Sequence, residues 1–210
     1  MRDFENSMRI GVFGGSFNPV HRGHLRLARA ALSTLDLDRV IFVPSFQNPL
    51  KKNEELLPAQ LRIRLLRIAV KAIRGASVSL CEIERRGPSF TVDTLKYFRR
   101  RFGSQAALYF LTGADTLKTI DRWKSVDEIF KLCRLVVMTR PRYALEKTSK
   151  PVVRVSFAAL AYSSTEVRAR LRRGQTVAGM VPRGTERALV NYFDKLNKGG
   201  LKSKHSRKLI

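Results

Sequence analysis

Short apolar runs alternate with helical stripes along the chain. Residues 10–13, 40–43, 108–111, 135–138 and 152–157 are brief and nearly continuous in Val, Ile, Leu and Phe, as in strands buried on both faces. Val78, Leu80 and Ile83 suggest one further strand. Between these runs, residues 25–35 read as a helix. Leu61, Leu65, Ile68, Ala69, Ala72 and Ile73 keep the spacing of one helix face. Val92, Leu95, Phe98 and Phe102 mark another helix, and 126–133, 164–173 and 185–196 complete the set. Residues 45–58 are polar and carry Pro49 and Pro58, so they form a loop. This alternation predicts an α/β fold: a Rossmann-like, doubly wound, mainly parallel sheet with helices on both faces. Ligands of such sheets gather beyond the carboxyl ends of the strands, where the strand order switches. A single domain is expected over 8–197, followed by a basic, mobile tail at 198–210.

Charge is what composition adds. The 210 residues, 44% hydrophobic, can hold one substantial core, but 41 Lys and Arg face only 17 Asp and Glu, a net +24. Such a surface attracts anions: nucleic acid, acidic membranes or phosphorylated metabolites. The basic residues are dispersed along the chain, whereas a nucleic-acid groove needs a clustered footprint. That argues against nucleic acid as a partner, except for nonspecific contact through the tail. No apolar run approaches a membrane span, and no secretory leader is visible. Cys81 and Cys133 lie in apolar text, without the spacing of a disulfide framework or a zinc site. A cytoplasmic, reducing setting is expected. The oligomeric state stays open, a homo-oligomer included.

The densest chemistry lies between Gly14 and His24, in Gly-Gly-Ser-Phe-Asn-Pro-Val-His-Arg-Gly-His, after a strand and before a helix. Gly14 and Gly15 allow a tight turn that brings backbone N–H groups close to a phosphate. The Gly-Lys-Ser/Thr end of a P-loop is missing, and the glycines do not fit a dinucleotide fingerprint. His21 and His24 are three apart at a helix start, so both rings can project to one side and donate to charge growing on phosphate oxygens. Each could instead be a cap or a packed polar group. A metal pair lacks a third ligand nearby. Later, Ser163-Ser164-Thr165-Glu166-Val167-Arg168 opens another helix. Ser163 and Glu166 fit a capping box. Ser164 and Arg168 also share a helix face, so a hydroxyl, free N–H groups and a guanidinium could meet a polyphosphate there.

These two stretches resemble the signatures of the nucleotidylyltransferase superfamily, the His-x-Gly-His turn and a Ser-Ser/Ala-Thr-x-x-Arg helix start. The text between them resembles bacterial nicotinate mononucleotide adenylyltransferases. Gly87-Pro88-Ser89-Phe90-Thr91-Val92-Asp93-Thr94 is similar to a family segment that helps hold the nicotinate carboxylate, with Thr91 in the matching place. Gly113-Ala114-Asp115 matches a Gly-Ala-Asp by the adenosine, Trp123 a residue that stacks on the pyridine ring, and Arg140-Pro141 a pair near the active site. Taken singly, Trp123 could be a core aromatic, Pro88-Ser89 a turn and Asp115 a helix cap; their joint order carries the resemblance.

The resemblance implies transfer of AMP from ATP to nicotinate mononucleotide, giving nicotinate adenine dinucleotide and pyrophosphate. It implies His21, His24 and Arg168 as catalytic residues. ATP would lie against Gly14, Gly15, Ser16, Phe17, Gly113, Asp115, Ser163, Ser164 and Thr165. The mononucleotide would meet Lys51, Ser89, Thr91, Trp123 and Arg140. No protein-held metal is implied; Mg2+ would be carried with ATP. Three positions depart from the pattern: Leu50 stands where the family often has His, Lys124 where Tyr is common, and Arg142 where Gly is usual. Pantetheine phosphate and flavin adenylyltransferases share the chemistry but do not normally combine the 87–94 segment with the tryptophan.

Overall fold

A computed structural model describes residues 7–51, 55–139, 150–158, 160 and 162–205; for 115–117 and 198–205 it describes the backbone alone. The sheet has six strands: β1 (Arg9–Gly15), β2 (Arg39–Pro44), β3 (Ala76–Val78), β4 (Ala107–Gly113), β5 (Arg134–Thr139) and β6 (Val152–Ser156). Their order is β3-β2-β1-β4-β5-β6, and every pairing is parallel. The chain winds outward from β1 through β2 to β3, then returns to lay β4 on the other side of β1. The switch point therefore falls between the carboxyl ends of β1 and β4.

Alternation along the strands explains why both faces are covered. Phe13, Val40, Phe42, Tyr109, Leu111 and Val136 face one core, with side chains from α1 (Arg22–Thr34), α2 (Ala59–Val70), α6 (Ser164–Arg172) and α7 (Glu186–His205). Ile10, Val12, Ile41, Val43, Leu108 and Leu135 face the other, under α3 (Cys81–Arg85), α4 (Thr91–Phe102) and α5 (Val126–Leu132). A period of two in strands that look apolar throughout is what a doubly covered parallel sheet requires.

Two expectations are corrected. Val78, Leu80 and Ile83 do not form one strand: β3 ends at Val78, and Cys81–Arg85 turn into the short helix α3. Cys81 and Glu82 are its buried residues while Ile83 keeps partial exposure, so burial follows a helical turn rather than a pleat. The buried face of α2 is also rotated from the one expected: it consists of Arg62, Ile63, Leu65, Leu66, Ala69 and Val70, leaving Leu61 and Ile68 at the rim. At the chain's end, the backbone of α7 stays helical to His205, beyond the 185–196 expected. No helix of the described residues is long and apolar enough to cross a membrane.

Candidate active site

β1 ends at Gly14 and Gly15 beside β4, where an added Cβ at Gly14 would come within 3.1 Å of the Phe110 ring. The turn that follows is tied from below by Arg62. This guanidinium is 2% exposed and donates to the carbonyls of Ser16 (2.7 Å), Ser45 (2.9 Å) and Leu57 (3.1 Å). One side chain thus joins the turn after β1, the end of β2 and the loop before α2. Asn18 adds two more ties to that loop, donating to Glu55 O and accepting from Leu57 N–H. Phe17 has a φ of +44° and a ring that is 2% exposed, packed against Phe13, Phe42 and His24. Its ring belongs to the core, so only its backbone can face a ligand.

The two histidines open α1. Their rings stack with centroids 3.7 Å apart and planes 30° apart. The backbone N–H of His21 donates to His24 Nδ1 at 3.1 Å. An accepting Nδ1 places the proton of the neutral His24 ring on Nε2, which makes that edge a donor. Burial, reinforced by the neighbouring His21, holds His24 well below the usual imidazole range. Burial brings His21 down to about 4. At neutral pH both rings are uncharged. Among the described residues His21 Nδ1 is buried with no hydrogen-bond partner. The glycine between the histidines has a steric reason: a Cβ on Gly23 would lie 2.9 Å from both Cε1 and Nδ1 of His21.

The second motif docks on the first. Ser164 Oγ donates to Pro19 O (2.9 Å) across 145 residues of sequence, and Arg168 Nη1 donates to Asn18 O (2.6 Å). Arg168 Nη2 also reaches Thr165 Oγ1 at 3.5 Å. Ser163 is the N-cap of α6, its hydroxyl accepting from Glu166 N–H at 3.1 Å. The Glu166 carboxylate turns to Arg170, so only the serine half of the expected capping box is visible.

A cavity of about 410 Å3 opens beside this frame. It brings together Gly14, Gly15 and Ser16 with Lys51, Ser89, Thr91 and Trp123. The pairs around Ser89 set its shape. Ser89 Oγ accepts from Phe46 N–H (3.0 Å), Ser89 N–H donates to Gln47 O (2.8 Å), and Gln47 bridges Pro88. The 45–51 loop and the start of α4 are thereby zipped into one wall. Trp123 meets Phe110 edge to face, with centroids 5.8 Å apart. His21, His24, Phe17, Gly113, Ser163, Ser164, Thr165 and Arg168 are outside the cavity's lining, the histidines and the second motif standing around the turn that forms its edge. Arg140 lies outside the described residues, as does the side chain of Asp115.

Several lining residues were not expected from the sequence, including Glu82, Thr112 and Arg122. Glu82 is 6% exposed, accepts from Thr94 Oγ1 at 2.6 Å, and is pushed upward by burial. Arg62 was also missed, although an arginine three and four residues before Leu65 and Leu66 on an apolar face is itself a signal. Both cysteines are free and buried; burial raises Cys133 to about 12 and pushes Cys81 upward, so both remain thiols. Among the described residues no group of three or more His, Cys, Asp or Glu gathers to hold a metal ion. A second groove, about 490 Å3 between α2 and α7, contains none of the expected site residues.

Known proteins share this architecture and sequence. The cytidylyltransferase-like family model matches residues 12–170. A Thermus thermophilus protein described as a probable nicotinate-nucleotide adenylyltransferase is 43% identical over 179 residues, covering 85% of this chain and 95% of that one. A Corynebacterium kroppenstedtii protein of the same description is 40% identical over 200 residues, covering 93% and 92%. The Plasmodium falciparum nicotinic acid mononucleotide adenylyltransferase complexed with NaAD shares the fold, with a TM-score of 0.70 at 16% identity over 90% of this chain and 96% of that one. The chain belongs to the nicotinate-nucleotide adenylyltransferases, within the cytidylyltransferase-like nucleotidyltransferases.

Proposed function

We propose that this chain joins nicotinate mononucleotide to the AMP of ATP, releases pyrophosphate, and so makes nicotinate adenine dinucleotide for NAD biosynthesis. The observation that carries the reading is the docking of Ser164 and Arg168 onto the Asn18–Pro19 carbonyls beside two uncharged histidines. This joins the two phosphate motifs in one frame at the edge of a mononucleotide-sized cavity.

The 5′-phosphate of the mononucleotide attacks the α-phosphorus of ATP in line, and pyrophosphate leaves. The substrate is the nucleophile, so catalysis consists of positioning and charge stabilisation. His24 Nε2–H and the His21 ring donate to the α-phosphate and the bridging oxygen as negative charge grows there. Arg168 and the Ser164–Thr165 helix start hold the leaving pyrophosphate. The backbone of Gly14, Gly15, Ser16 and Phe17 cradles the adenylate, with Gly113 and Asp115 near its ribose. Ser163 acts through its cap. Lys51 faces the mononucleotide phosphate, Thr91 the ring carboxylate, Trp123 the pyridine face, and Arg140 completes the set. Ser89 holds the wall these residues share. Magnesium would enter on ATP, held by phosphate oxygens and water, and would neutralise part of the triphosphate charge. The reading includes one catalytic domain over 8–197, 198–210 as a basic appendage, and a cytoplasmic location consistent with two unpaired cysteines.

Pyrophosphate release from ATP and magnesium tests the reading, with nicotinate mononucleotide, nicotinamide mononucleotide and phosphopantetheine as acceptors. Release with the nicotinate form, and a His24→Ala variant slowed about 100-fold or more in kcat and kcat/KM together, is expected. Release only with phosphopantetheine would overturn the acceptor. Near-normal turnover of His24→Ala would overturn the assigned role of the histidine.

A further inference from the structure

The surroundings of Lys124 give its charge a use. The residue lines the cavity next to Trp123, Phe90 and Thr91. Its ammonium lies 4.6 Å from the centroid of the Phe90 ring and 3.4 Å from Asp93 Oδ2. Thus the lysine is not left to wander in solvent, although its side chain is half exposed. The aromatic face and the carboxylate hold it over the start of α4, where Thr91 is the first helical residue and Phe90 supplies no side-chain cap. The uncapped N–H groups and the positive end of that helix point the same way as the ammonium's charge. Arg122, on the other side of Trp123, lines the same cavity. Asp93 sits in the first turn of α4, and unopposed it would repel an acidic ligand; the ion pair offsets it.

We propose that Lys124 is a specificity-determining residue: its ammonium contacts the ring carboxylate of the mononucleotide and favours the acid over the amide. This rests on the function proposed above and adds a side-chain charge to the discrimination. A charge-assisted contact to a carboxylate is stronger than one to a neutral amide. The amide form keeps the ring contact with Trp123 but gains less from the ammonium. The contribution should therefore appear in binding of the acid, not in turnover.

Two readouts test it. Trp123 is the chain's only tryptophan, so its fluorescence reports ring binding without requiring catalysis. Wild type, Lys124→Gln and Lys124→Arg are titrated with each mononucleotide, and steady-state kcat and KM are measured alongside. Lys124→Gln is expected to weaken binding of the acid about 10-fold and raise its KM to match, with the amide and both kcat values changed less than about twofold. Lys124→Arg should retain most of the preference. An acid-to-amide ratio unchanged in Lys124→Gln overturns the proposal, and so does an equal loss for both ligands. If wild type binds neither mononucleotide and turns over neither, the proposed function fails, and this inference fails with it. Turnover of the acid by wild type with an unaltered ratio in Lys124→Gln sinks the inference alone.

Discussion

Gly23→Ala should slow the reaction while leaving the fold intact. The backbone at Gly23 is helical, inside α1, and does not use the left-handed region, so alanine is allowed there. The new methyl would sit 2.9 Å from Cε1 and Nδ1 of His21. Carbon atoms rest at about 3.5 Å or more, so the ring must retreat by roughly 0.6 Å. It is 8% exposed and has the His24 ring stacked 3.7 Å away, so it cannot move without tilting or pushing its partner. A misplacement of about 1 Å can cost about 100-fold in rate, which makes a 10- to 100-fold fall in kcat the expected range, or about 1.4–2.7 kcal/mol. Helix propensity works the other way: alanine gains up to about 1 kcal/mol over glycine within a helix. Denaturant unfolding should therefore move by no more than about 1 kcal/mol, while pyrophosphate release drops. Wild-type kcat in a folded Gly23→Ala protein would refute the reasoning. So would a loss of activity accompanied by several kcal/mol of destabilisation.

Other perturbations follow from the same geometry. The folded-state pKa of His21 is lowered from 6.5 to about 4, so the unfolded chain takes up this proton first as pH falls. The group's contribution is intact above pH 6.5 and is lost progressively towards pH 4, by about 3 kcal/mol in all. Unfolding of His21→Asn should show a correspondingly flatter dependence between those limits, and identical curves for the two proteins would count against the burial argument. Arg62→Met leaves the carbonyls of Ser16, Ser45 and Leu57 without that donor and should cost about 3 kcal/mol or more in urea unfolding. A cost below about 1 kcal/mol would show the tie to be dispensable. Trp123→Ala removes the proposed ring platform and should raise KM for the mononucleotide about 10-fold, with KM for ATP nearly unchanged. Equal increases for both substrates would place the tryptophan's effect elsewhere.

The strands were legible because a doubly covered sheet needs unbroken apolar text, and β1, β2, β4 and β5 have it. The segment after Val78 was misread because Val78 and Leu80 keep the two-residue spacing of a pleat over too few residues to separate the two periods. The helix that forms there is tied by a tertiary contact, the Glu82 carboxylate accepting from Thr94 on α4. The candidate site was legible where side chains occur in a recognisable order: His21 and His24, Ser164 and Arg168, Thr91 and Trp123. It was not legible where main-chain atoms do the organising. Nothing in the letters at 16, 45 and 57 announces that their carbonyls share one guanidinium. The stack of His21 on His24 requires a glycine between them, yet the spacing alone only puts both rings on one side.

Ser164 and Arg168 grip Asn18 and Pro19 through carbonyl oxygens, which every residue possesses. The wall proposed to hold the acceptor is different: Phe90, Thr91, Trp123 and Lys124 line it as particular side chains. Mutational drift therefore acts unevenly on the two halves. Substitutions can remodel the wall proposed to select the acceptor while the joint between the two motifs persists, since that joint is not written in the side chains it fastens. A designer seeking a new acceptor has a corresponding starting point: randomise positions 46–51, 89–91 and 122–124, and leave the frame around residues 14–24 and 163–168 untouched.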